Sequence, residues 1–425
     1  MKKVYTVAII GCGSRGREAY GKIFHQYPEW NIVSLCDISQ EQLLRASQEF
    51  KVAKENCFLS EEEFFQEKRA DVLVIATQDR DHVRMCIKAL KLGYDILLEK
   101  PISDKKEELN ELLKTYKQSG GKVAVCHVLR YAPAYAKIDE IIKGGTLGRI
   151  TSIEAVEQVC YWHFSHSYVR GNWRNSKESS PVIMAKCCHD MDYLQHFVGA
   201  RCKSVYSTGG LDYFNKQNQP EGASERCQTC KYIDSCPYSA ENLYIKRWKK
   251  ENCLVDCWPF NVVCRDVPNT ETKLRKAYEE GPYGRCVFAC DNDVCDNQQV
   301  LMEFENGVKA SFSLTGFSSR MGRKIAVYGS NGYVDYDGTR DVLKYSVYGK
   351  EDIYYNTDEL VKDLGVDTFG HGGGDEMMIR ALYEGLSTGK METTLEESIE
   401  SHLMALAAEE SRLTGKVVKI HQEDE

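Results

Sequence analysis

The feature that most constrains this chain is a glycine-rich turn near its start. The residues Gly11-Cys12-Gly13-Ser14-Arg15-Gly16 directly follow an apolar run at 4–10 and open a segment with helical spacing at 15–27. In a strand-turn-helix unit with this spacing, the first glycine makes the tight turn, the second admits a pyrophosphate close to the backbone, and the third lets the helix pack on the strand. The helix N-terminus adds N–H groups and a partial positive charge. The turn therefore predicts a dinucleotide site that includes Gly11, Gly13, Ser14, Arg15 and Gly16.

An acidic residue stands where such a site needs one. Asp37 ends the second apolar run, 31–37, about 20 residues beyond the glycines, where a carboxylate accepts hydrogen bonds from the adenosine ribose hydroxyls. Because Asp37 would repel a 2′-phosphate, NAD is the predicted cofactor; NADP, which Arg15 and Arg17 could tolerate, is the second choice. The alternative is that Asp37 only caps the helix predicted at 40–50.

The first 128 residues alternate short apolar runs with helical segments. Runs rich in Val, Ile and Leu suit strands buried on both faces of a parallel sheet, and they lie at 4–10, 31–37, 71–77, 94–100 and 122–128. Segments with helical spacing lie between them, at 15–27, 40–50, 81–92 and 105–119. This βαβ series predicts an α/β architecture, with a doubly wound Rossmann domain over residues 1–128.

The pattern changes beyond residue 128, after a predicted linking helix at 133–143. Alternating residues predict antiparallel strands at 149–159, 301–314, 324–328, 332–336 and 342–347, and helical spacing returns at 180–197, 375–386 and 395–413. We therefore expect an α+β domain over residues 129–425 with an open, mostly antiparallel sheet. A polar, cysteine-rich stretch at about 207–299 fits neither template and is interpreted as an insertion.

Composition and charge exclude several classes of protein. The chain of 425 residues is 42% hydrophobic and 28% charged, which is typical of globular proteins. Its formal charge of −8 includes no long basic block, so neither nucleic acid nor an anionic membrane is an expected partner. Without an apolar run of roughly 20 residues or a secretory signal, we expect a cytoplasmic location and reduced thiols for most of the 18 cysteines.

Four short motifs indicate a relationship to a known family. Glu99-Lys100-Pro101 at the end of the fifth predicted strand, together with the glycine turn, resembles the Gfo/Idh/MocA family, the glucose–fructose oxidoreductase and inositol dehydrogenase group. The likeness extends through Arg130-Tyr131-Ala132-Pro133, Gly148-Arg149-Ile150 and Cys188-His189-Asp190-Met191-Asp192 to the last helix, and so covers the chain apart from the insertion. The resemblance implies that the open sheet of the α+β domain joins subunits and that substrate lies between the nicotinamide and that sheet.

The resemblance implies an NAD-dependent oxidoreductase that transfers a hydride to or from a secondary alcohol carbon of a sugar, sugar derivative or cyclitol. A second implied function is a redox-neutral glycoside-processing enzyme, in which tightly bound NAD oxidises the substrate only transiently. A non-catalytic sensor of nucleotide or sugar is disfavoured because Lys100 and His189 are both present. By analogy with the family, we expect a homodimer or homotetramer.

Lys100 is the predicted electrostatic catalyst. It stands at the carboxyl end of a strand, where doubly wound sheets bind ligands, and its ammonium can stabilise alkoxide character on the substrate oxygen. The alternative is a surface lysine before a helix. Lys100 is also expected to contact the cofactor, and the residues expected to complete the cofactor side of the site are Thr77, His82, Glu99 and Pro101.

His189 is the family's candidate general base, and an imidazole with an unperturbed pKa of about 6.5 suits proton transfer near neutrality. The inositol dehydrogenase pattern has an aspartate four residues earlier, where this chain has Ala185 followed by Lys186. Lys186 is a candidate replacement that holds a substrate hydroxyl or lowers the imidazole pKa, and Asp192 is a candidate group to orient the ring. The alternative is a core histidine with satisfied hydrogen bonds.

The segment 161–174 is dense in aromatic and hydrogen-bonding side chains, as sugar recognition requires. We expect it to line the substrate pocket, and a purely structural loop is the alternative. The predicted substrate-binding residues are Trp162, His163, Arg170, Trp173 and Arg174, with Arg130, Tyr131 and His371 from elsewhere in the chain. In His371-Gly372-Gly373-Gly374-Asp375, the glycines permit close backbone approach and Asp375 is expected to cap the next helix.

Three cysteines in the insertion have the spacing of a metal half-site. They are Cys227, Cys230 and Cys236, in the pattern C-x2-C-x5-C-P, and a fourth ligand could come from Cys253, Cys257, Cys264, Cys286, Cys290 or Cys295. Structural zinc usually takes four nitrogen or sulfur ligands, and only one C-x2-C pair is present, so zinc and free thiols are both open interpretations. An iron–sulfur group is conceivable, but the chain lacks a ferredoxin-like run. Any metal here is expected to clasp the insertion rather than to act in catalysis.

Overall fold

The computed structural model describes residues 3–251, 257–266, 268–366 and 371–421. Within these ranges the N-terminal part forms a sheet of six strands, β1 (Tyr5–Ile10), β2 (Trp30–Cys36), β3 (Cys57–Phe58), β4 (Val72–Ile75), β5 (Asp95–Leu98) and β6 (Val123–Val125). Their spatial order is β3-β2-β1-β4-β5-β6, and each neighbouring pair is parallel. The order reverses between β1 and β4, so the carboxyl ends of these strands open the crevice where doubly wound sheets bind ligands. The predicted doubly wound sheet is confirmed.

Helices cover both faces of this sheet, which is why its central strands are almost wholly apolar. Every residue of β4 is buried. A π-helical segment, Ser14–Gly21, leads into α1 (Lys22–Gln26), and the helices that follow are α2 (Gln40–Phe50), α3 (Glu61–Phe64), α4 (His82–Lys91) and α5 (Lys106–Ser119). Strand β3 is absent from the sequence prediction because two residues carry no periodicity.

The second sheet is mixed but mostly antiparallel, as predicted. In the described part of the chain its nine strands are β7 (Ile150–Gln158), β8 (Cys202–Gly210), β9 (Asn297–Phe304), β10 (Lys309–Thr315), β11 (Gly322–Gly329), β12 (Gly332–Asp337), β13 (Val342–Val347), β14 (Ile353–Asn356) and β15 (Val418–Lys419). The order is β14-β13-β12-β11-β7-β10-β9-β8-β15, and only the pair β7 and β10 is parallel.

The helix predicted over 180–197 is two helices. The helices that pack with the second sheet are α6 (Pro133–Lys143), α7 (Tyr161–Phe164), α8 (Val182–Ala185), α9 (Cys188–Val198) and α13 (Thr357–Leu364). The two that replace the predicted helix are α8 and α9. The break falls at Lys186 and Cys187, whose ψ angles of −50° and 7° depart from one another. It leaves the Ala185 carbonyl free to accept a hydrogen bond from Lys100 Nζ at 3.0 Å. A tertiary contact therefore decides where this helix ends.

The last two helices connect the two sheets. α14 (Gly374–Thr388) buries Met378 and Ile379 in the core beside β1 and β2. α15 (Leu395–Thr414) buries Leu395 on the other face of the first sheet and Met404 in the core of the second. No helix in the described ranges is both long and apolar enough to span a bilayer.

The insertion carries its own small core. Strand β8 continues to Gly210 and β9 begins at Asn297, so the irregular stretch is residues 211–296, slightly narrower than predicted. Its helices are α10 (Arg247–Glu251), α11 (Phe260–Val263) and α12 (Glu271–Glu280), and a π-helical segment, Glu241–Lys246, precedes α10. Buried apolar side chains hold these pieces together, chiefly Leu243, Tyr244, Phe260, Leu274 and Tyr278.

Candidate active site

The glycine turn has the shape that a dinucleotide requires. Gly11 has φ +91°, and a Cβ there would lie 2.3 Å from the Ala76 carbonyl oxygen. A Cβ on Gly16 would lie 1.9 Å from the Gly11 carbonyl oxygen, so helix and strand meet only because this residue has no side chain. A Cβ on Gly13, in contrast, would meet no described atom within 4 Å. The space over the second glycine is therefore open, as a pyrophosphate would need.

Asp37 fastens the turn to the end of β2. Its Oδ2 accepts the Cys12 N–H at 2.6 Å and its Oδ1 accepts the Ser39 N–H at 2.7 Å. Each carboxylate oxygen retains a further lone pair. The following helix, α2, has Ser39 at its N-cap, where the hydroxyl accepts the Gln42 N–H at 3.4 Å. Asp37 is half-buried, so the carboxylate lone pairs that accept no hydrogen bond within the protein remain accessible from the crevice.

A buried ion-pair network joins the turn to two other elements. Arg15 Nε donates to Glu99 Oε1 at 2.7 Å, and Arg15 Nη2 donates to Asp375 Oδ1 at 2.5 Å. Burial opposes ionisation of Glu99, but the charges of Arg15 and Lys100 and the hydrogen bonds from Arg15 and Tyr20 together lower the Glu99 pKa. Asp375 is thus used by Arg15, and Gly373 stands at the N-cap of α14, so the predicted Asp375 cap is wrong.

Arg17 is committed elsewhere. Its guanidinium pairs with Glu18 at 2.8 Å and Glu49 at 2.9 Å, on the outer side of the turn. With Arg15 held by Glu99, the two arginines that could have tolerated a 2′-phosphate are both engaged by carboxylates.

Lys100 lies at the carboxyl end of β5, as predicted from sequence, and enters a cis peptide bond with Pro101. Its backbone N–H donates to Glu99 Oε2 at 2.9 Å, and its Nζ donates to the Ala185 carbonyl at 3.0 Å. The buried His82 ring braces this loop, with Nδ1 2.7 Å from the Pro101 carbonyl oxygen and Nε2 3.3 Å from the Thr77 carbonyl oxygen. Lys100 and the four residues predicted around it, Thr77, His82, Glu99 and Pro101, thus form one contiguous structure.

His189 is buried at the start of α9, and its Nδ1 has no hydrogen-bond partner among the described residues. Burial first, and then the Lys100 ammonium, lower its pKa well below 6.5. The His371 ring lies 5.6 Å from it, centroid to centroid, and the His127 ring 6.2 Å away. His371 Nδ1 is 3.1 Å from Asp375 Oδ2, so the Arg15 network also places this second imidazole.

Asp192 does not reach His189 in this structure. Its carboxylate accepts two hydrogen bonds of 2.7 Å from Arg130, and it lies 3.5 Å from His127 Nε2. Arg130 is itself buried and also pairs with Glu397 at 3.2 Å, while Tyr131 bonds to Thr393 Oγ1 at 2.6 Å. Asp192, Arg130 and Tyr131 therefore fix the junction before α6 to α9 and α15.

A charged pair that the sequence does not reveal lies beneath Lys186. Lys186 Nζ is 3.8 Å from Glu157 Oε1, and Arg323 Nη2 is 2.5 Å from Glu157 Oε2. Arg323 also makes a bidentate contact with Asp190, at 2.7 and 3.1 Å. These residues sit on β7, β11 and α9, and no local motif announces them, because their contact depends on strand pairing.

The side chains of the aromatic segment, residues 161–174, lie in two different environments. The His163 ring lies 4.8 Å from Trp258 of the insertion, and the Trp162 ring lies 5.2 Å from Trp258 and under the Arg247 guanidinium at 3.3 Å. Burial and then the Lys186 charge lower the pKa of His163. Trp258 is absent from the sequence prediction because it lies in the insertion.

The remaining predicted substrate residues face the insertion. Arg170 donates to the carbonyl oxygens of Arg285 and Tyr238, each at 2.7 Å. Arg174 forms a bidentate pair with Asp291 at 2.8 and 2.9 Å. Trp173 is 38% exposed beside Tyr168. The structure does not bring these three side chains to Lys100 and His189.

The prediction of structural zinc is not supported. Across residues 3–251, 257–266, 268–366 and 371–421, no group of three or more His, Cys, Asp or Glu side chains is arranged to hold a metal ion. Cys227, Cys230 and Cys236 form no disulfide bond with any residue in these ranges. Cys253, a candidate fourth ligand, lies outside the described residues.

Two family models match the chain. The model of an oxidoreductase family with an NAD-binding Rossmann fold matches residues 5–127, and the C-terminal alpha/beta domain of the same family matches residues 139–420. Together they span both sheets and the insertion.

Individual proteins agree with that assignment at low identity. YteT of Bacillus subtilis (strain 168), named as an oxidoreductase, is 24% identical over 336 residues, which are 76% of this chain and 74% of that protein. The 2,7-anhydro-N-acetylneuraminate hydratase of Mediterraneibacter gnavus is 22% identical over 208 residues, 49% of this chain and 53% of that protein. The crystal structure of the WlbA dehydrogenase from Bordetella pertussis, in complex with NADH and UDP-GlcNAcA, superposes with a TM-score of 0.69, covers 99% of each chain at 17% identity, and so shares the fold.

Proposed function

The chain belongs to the Gfo/Idh/MocA oxidoreductase family, and from this premise we propose that it transfers a hydride between NAD and a secondary alcohol carbon of a sugar, sugar derivative or cyclitol. The observation that carries the proposal is the position of Lys100, whose ammonium donates to the last carbonyl of α8, four residues before the buried His189. Lys100 is bonded to the carbonyl of Ala185, one turn before His189, and its charge lowers the imidazole pKa. An ammonium and a neutral imidazole at one point are what removal of a hydroxyl proton requires.

NAD, when bound, supplies the hydride acceptor or donor. The protein's own part is to hold the substrate oxygen and to move its proton. Lys100 donates to that oxygen and stabilises the negative charge that develops on it. His189 is neutral at pH 7 because burial and Lys100 lower its pKa, so it is ready to accept the proton.

The preference for NAD over NADP rests on Asp37 and on the two engaged arginines. Asp37 presents a carboxylate at the end of β2, while Arg15 and Arg17 are paired with Glu99 and Glu49. A 2′-phosphate would therefore meet a negative charge without a free cation from this turn. Titration of the purified protein with each nucleotide should give a Kd for NADP at least about tenfold above that for NAD, as one charge–charge contact is worth.

The substrate side of the site is proposed to be the wall formed by Lys186, His163, Trp162 and Trp258, with His371 opposite. Aromatic faces pack against sugar C–H groups, and the imidazoles and the ammonium bind hydroxyls. Lys186 is held by Glu157 at 3.8 Å, an ion pair long enough to leave donors for a ligand.

A homo-oligomer through the open face of the second sheet is part of the proposal. Leu301 on β9 is 57% exposed and its cross-strand neighbour Tyr206 on β8 is 41% exposed. Large apolar side chains side by side on a sheet face are typical of an interface. Sedimentation should therefore show a dimer or tetramer, and Leu301→Glu should shift it toward the monomer.

A redox-neutral reaction on a glycoside is the second candidate, and the similarity to a hydratase favours it. Addition or loss of water leaves no net change in oxidation state. The same Lys100 and His189 would serve it, since a proton beside an oxidised carbon is removed with the same groups. Retention of NAD through purification distinguishes this candidate from a dehydrogenase that exchanges cofactor at each turnover.

An absorbance assay near 340 nm tests both candidates. The purified protein is scanned alone and then with NAD and a panel of sugars, glycosides and cyclitols. Growth of the NADH band with one substrate and free NAD supports the dehydrogenase. Bound cofactor with substrate consumed and no net NADH supports the redox-neutral enzyme, and no reaction with any substrate class contradicts the proposal.

A further inference from the structure

The insertion encloses a cavity that the proposed hydride transfer does not use. Its volume is about 170 Å³, and Cys227, Cys230, Cys236 and Cys286 line it. All four are free of disulfide bonds. Three come from the pattern C-x2-C-x5-C-P, and the fourth follows the turn Pro282–Gly284. Separate parts of the insertion thus bring four thiols to one space.

The thiols surround this space and do not converge on a point. A single tetrahedral ion with metal–sulfur bonds of about 2.3 Å would draw its sulfur ligands to within about 4 Å of one another. No three potential ligands in the described ranges are arranged in that way. The four thiols are nevertheless neighbours, since all of them line this one cavity. The cavity therefore suits a group larger than one ion.

A buried cation lines the same cavity. Arg170 is 1% exposed, and its Nη2 lies 3.7 Å from Cys227 Sγ. Its Nη1 is buried without a hydrogen-bond partner, and within the described residues the guanidinium forms no ion pair with a carboxylate. Because a buried charge without a counterion is costly, the cavity calls for an anionic occupant.

We propose that Cys227, Cys230, Cys236 and Cys286 bind a [4Fe–4S] cluster in this cavity. Each iron of the cube takes one thiolate, so the sulfur ligands stand around the group, as these thiols do. Four thiolates make the cluster anionic overall, and the Arg170 guanidinium offsets part of that charge.

The neighbours of the cavity suit such a cluster. The apolar side chains of Ile233, Val287 and Phe288 line part of it. Gln219 Nε2 lies 3.8 Å from Cys286 Sγ, a hydrogen bond to a ligand sulfur of the kind that tunes cluster potentials. Arg170 ends the π-helical segment Ser165–Arg170, which continues directly from α7 with Trp162 and His163. The cluster thus clasps the insertion behind the aromatic wall, and its presence does not depend on the proposed hydride transfer.

Anaerobic purification of the full chain tests the proposal. The expected protein is brown, with a broad visible charge-transfer band and roughly four iron atoms and four inorganic sulfides per chain. Dithionite should bleach the band and produce a paramagnetic signal. Stoichiometric zinc without sulfide, or a chain with neither iron nor sulfide after reconstitution, would overturn the proposal.

Three serine variants test the ligand set. Cys230→Ser should lose most of the iron and sulfide. Cys290→Ser should keep both, because the Cys290 thiol does not line the cavity and donates to the Cys286 carbonyl at 3.2 Å. Cys57→Ser, on the first sheet, is the matched control elsewhere in the chain. Full iron in Cys230→Ser, or its loss in Cys290→Ser alone, contradicts the assignment, and iron analysis of the unmodified chain decides the matter if Cys230→Ser does not fold.

Discussion

Among single residues, Lys100 is the side chain whose removal should separate chemistry from cofactor binding. Its ammonium donates to the Ala185 carbonyl, and its proposed partner is the substrate oxygen rather than the nucleotide. We expect Lys100→Ala to lower kcat about 100-fold or more, the usual loss when a donor to a developing oxyanion is removed, with NAD affinity nearly unchanged.

The measurement is steady-state kinetics together with NAD titration by fluorescence. Lys105→Ala is the matched control, because Lys105 lies in the same loop and is paired with Glu108 on the surface. An equal loss of turnover and NAD affinity in Lys100→Ala would assign the residue to cofactor binding alone.

His189 gives a prediction about pH. Its folded-state pKa is lowered well below 6.5, by burial first and by Lys100 second. The base is therefore unprotonated at neutral pH, and its activity is lost only as the pH falls through that lowered value. The acid limb of kcat/KM for alcohol oxidation should lie below pH 6.5.

The pH profile needs a control against unfolding. Protein held at each acidic pH and returned to pH 7.5 should recover its full rate. An acid limb at or above pH 6.5 in protein that recovers would show that another group acts as base.

The sequence predicts the positions of residues that follow a local pattern. It does not predict positions that depend on tertiary contacts. Gly11, Asp37 and Lys100 each follow a strand end, and position on a strand is legible from apolar runs. The Glu157 and Arg323 pair needs two strands in register, and Trp258 needs the insertion to fold back over α7. No local sequence pattern predicts either of these contacts.

At the scale of the element, two glycines of one turn should respond oppositely to alanine. A Cβ on Gly13 meets no described atom within 4 Å, whereas a Cβ on Gly16 would lie 1.9 Å from the Gly11 carbonyl oxygen. Gly13→Ala should therefore leave the free energy of unfolding within about 0.5 kcal/mol and weaken NAD binding at least about tenfold. Gly16→Ala should destabilise the fold by several kcal/mol, since backbone must move.

Urea denaturation and NAD titration of both variants check this pair. Each variant is the control for the other, because both add one methyl group to the same turn. Unchanged NAD affinity in Gly13→Ala would show that the pyrophosphate does not approach there.

Regular elements follow from local pattern, and their interruptions do not. The bounds of α2, α6 and β13 agree with the sequence prediction because the apolar spacing that defines each element lies within its own segment. The break between α8 and α9 was missed because its residues favour a continuous helix, and the hydrogen bond from Lys100 to Ala185 lies outside that segment. The bounds of an element are thus predictable from its own residues, except where a contact from another part of the chain coincides with its end.

For the whole molecule, the two cores share helices that the sequence assigns to the second domain. Ile379 packs with the first sheet, while α15 contributes Ile399 to one core and Ala408 to another. Hydrophobic periodicity identifies such helices but not the surface they meet, since the same stripe fits either sheet.

The whole fold should lose stability as the pH falls below 6.5, because it buries several imidazoles in neutral form. Burial lowers the pKa of His127 to about 4 and those of His166 and His402 to about 3. The unfolded chain protonates these groups near pH 6.5, whereas the folded chain does not, so stability is full above pH 6.5 and falls below it. Each such histidine should remove up to about 1.4 kcal/mol per pH unit in this window.

Urea unfolding at pH 7.5, 6.5, 6.0 and 5.5 measures this slope. The window lies above the range in which ordinary carboxylates titrate, so the histidines dominate it. His127→Leu should reduce the slope of the unfolding free energy against pH by the contribution of about one proton. Neither ring nitrogen of His127 has a hydrogen-bond partner in the described part of the chain, and Asp192 keeps its hydrogen bonds with Arg130 in the variant. His25→Gln, at an exposed position, should leave the slope unchanged. A urea midpoint that stays flat from pH 7.5 to 5.5 would mean that the buried imidazoles are protonated in the fold, and His189 could then not serve as a neutral base.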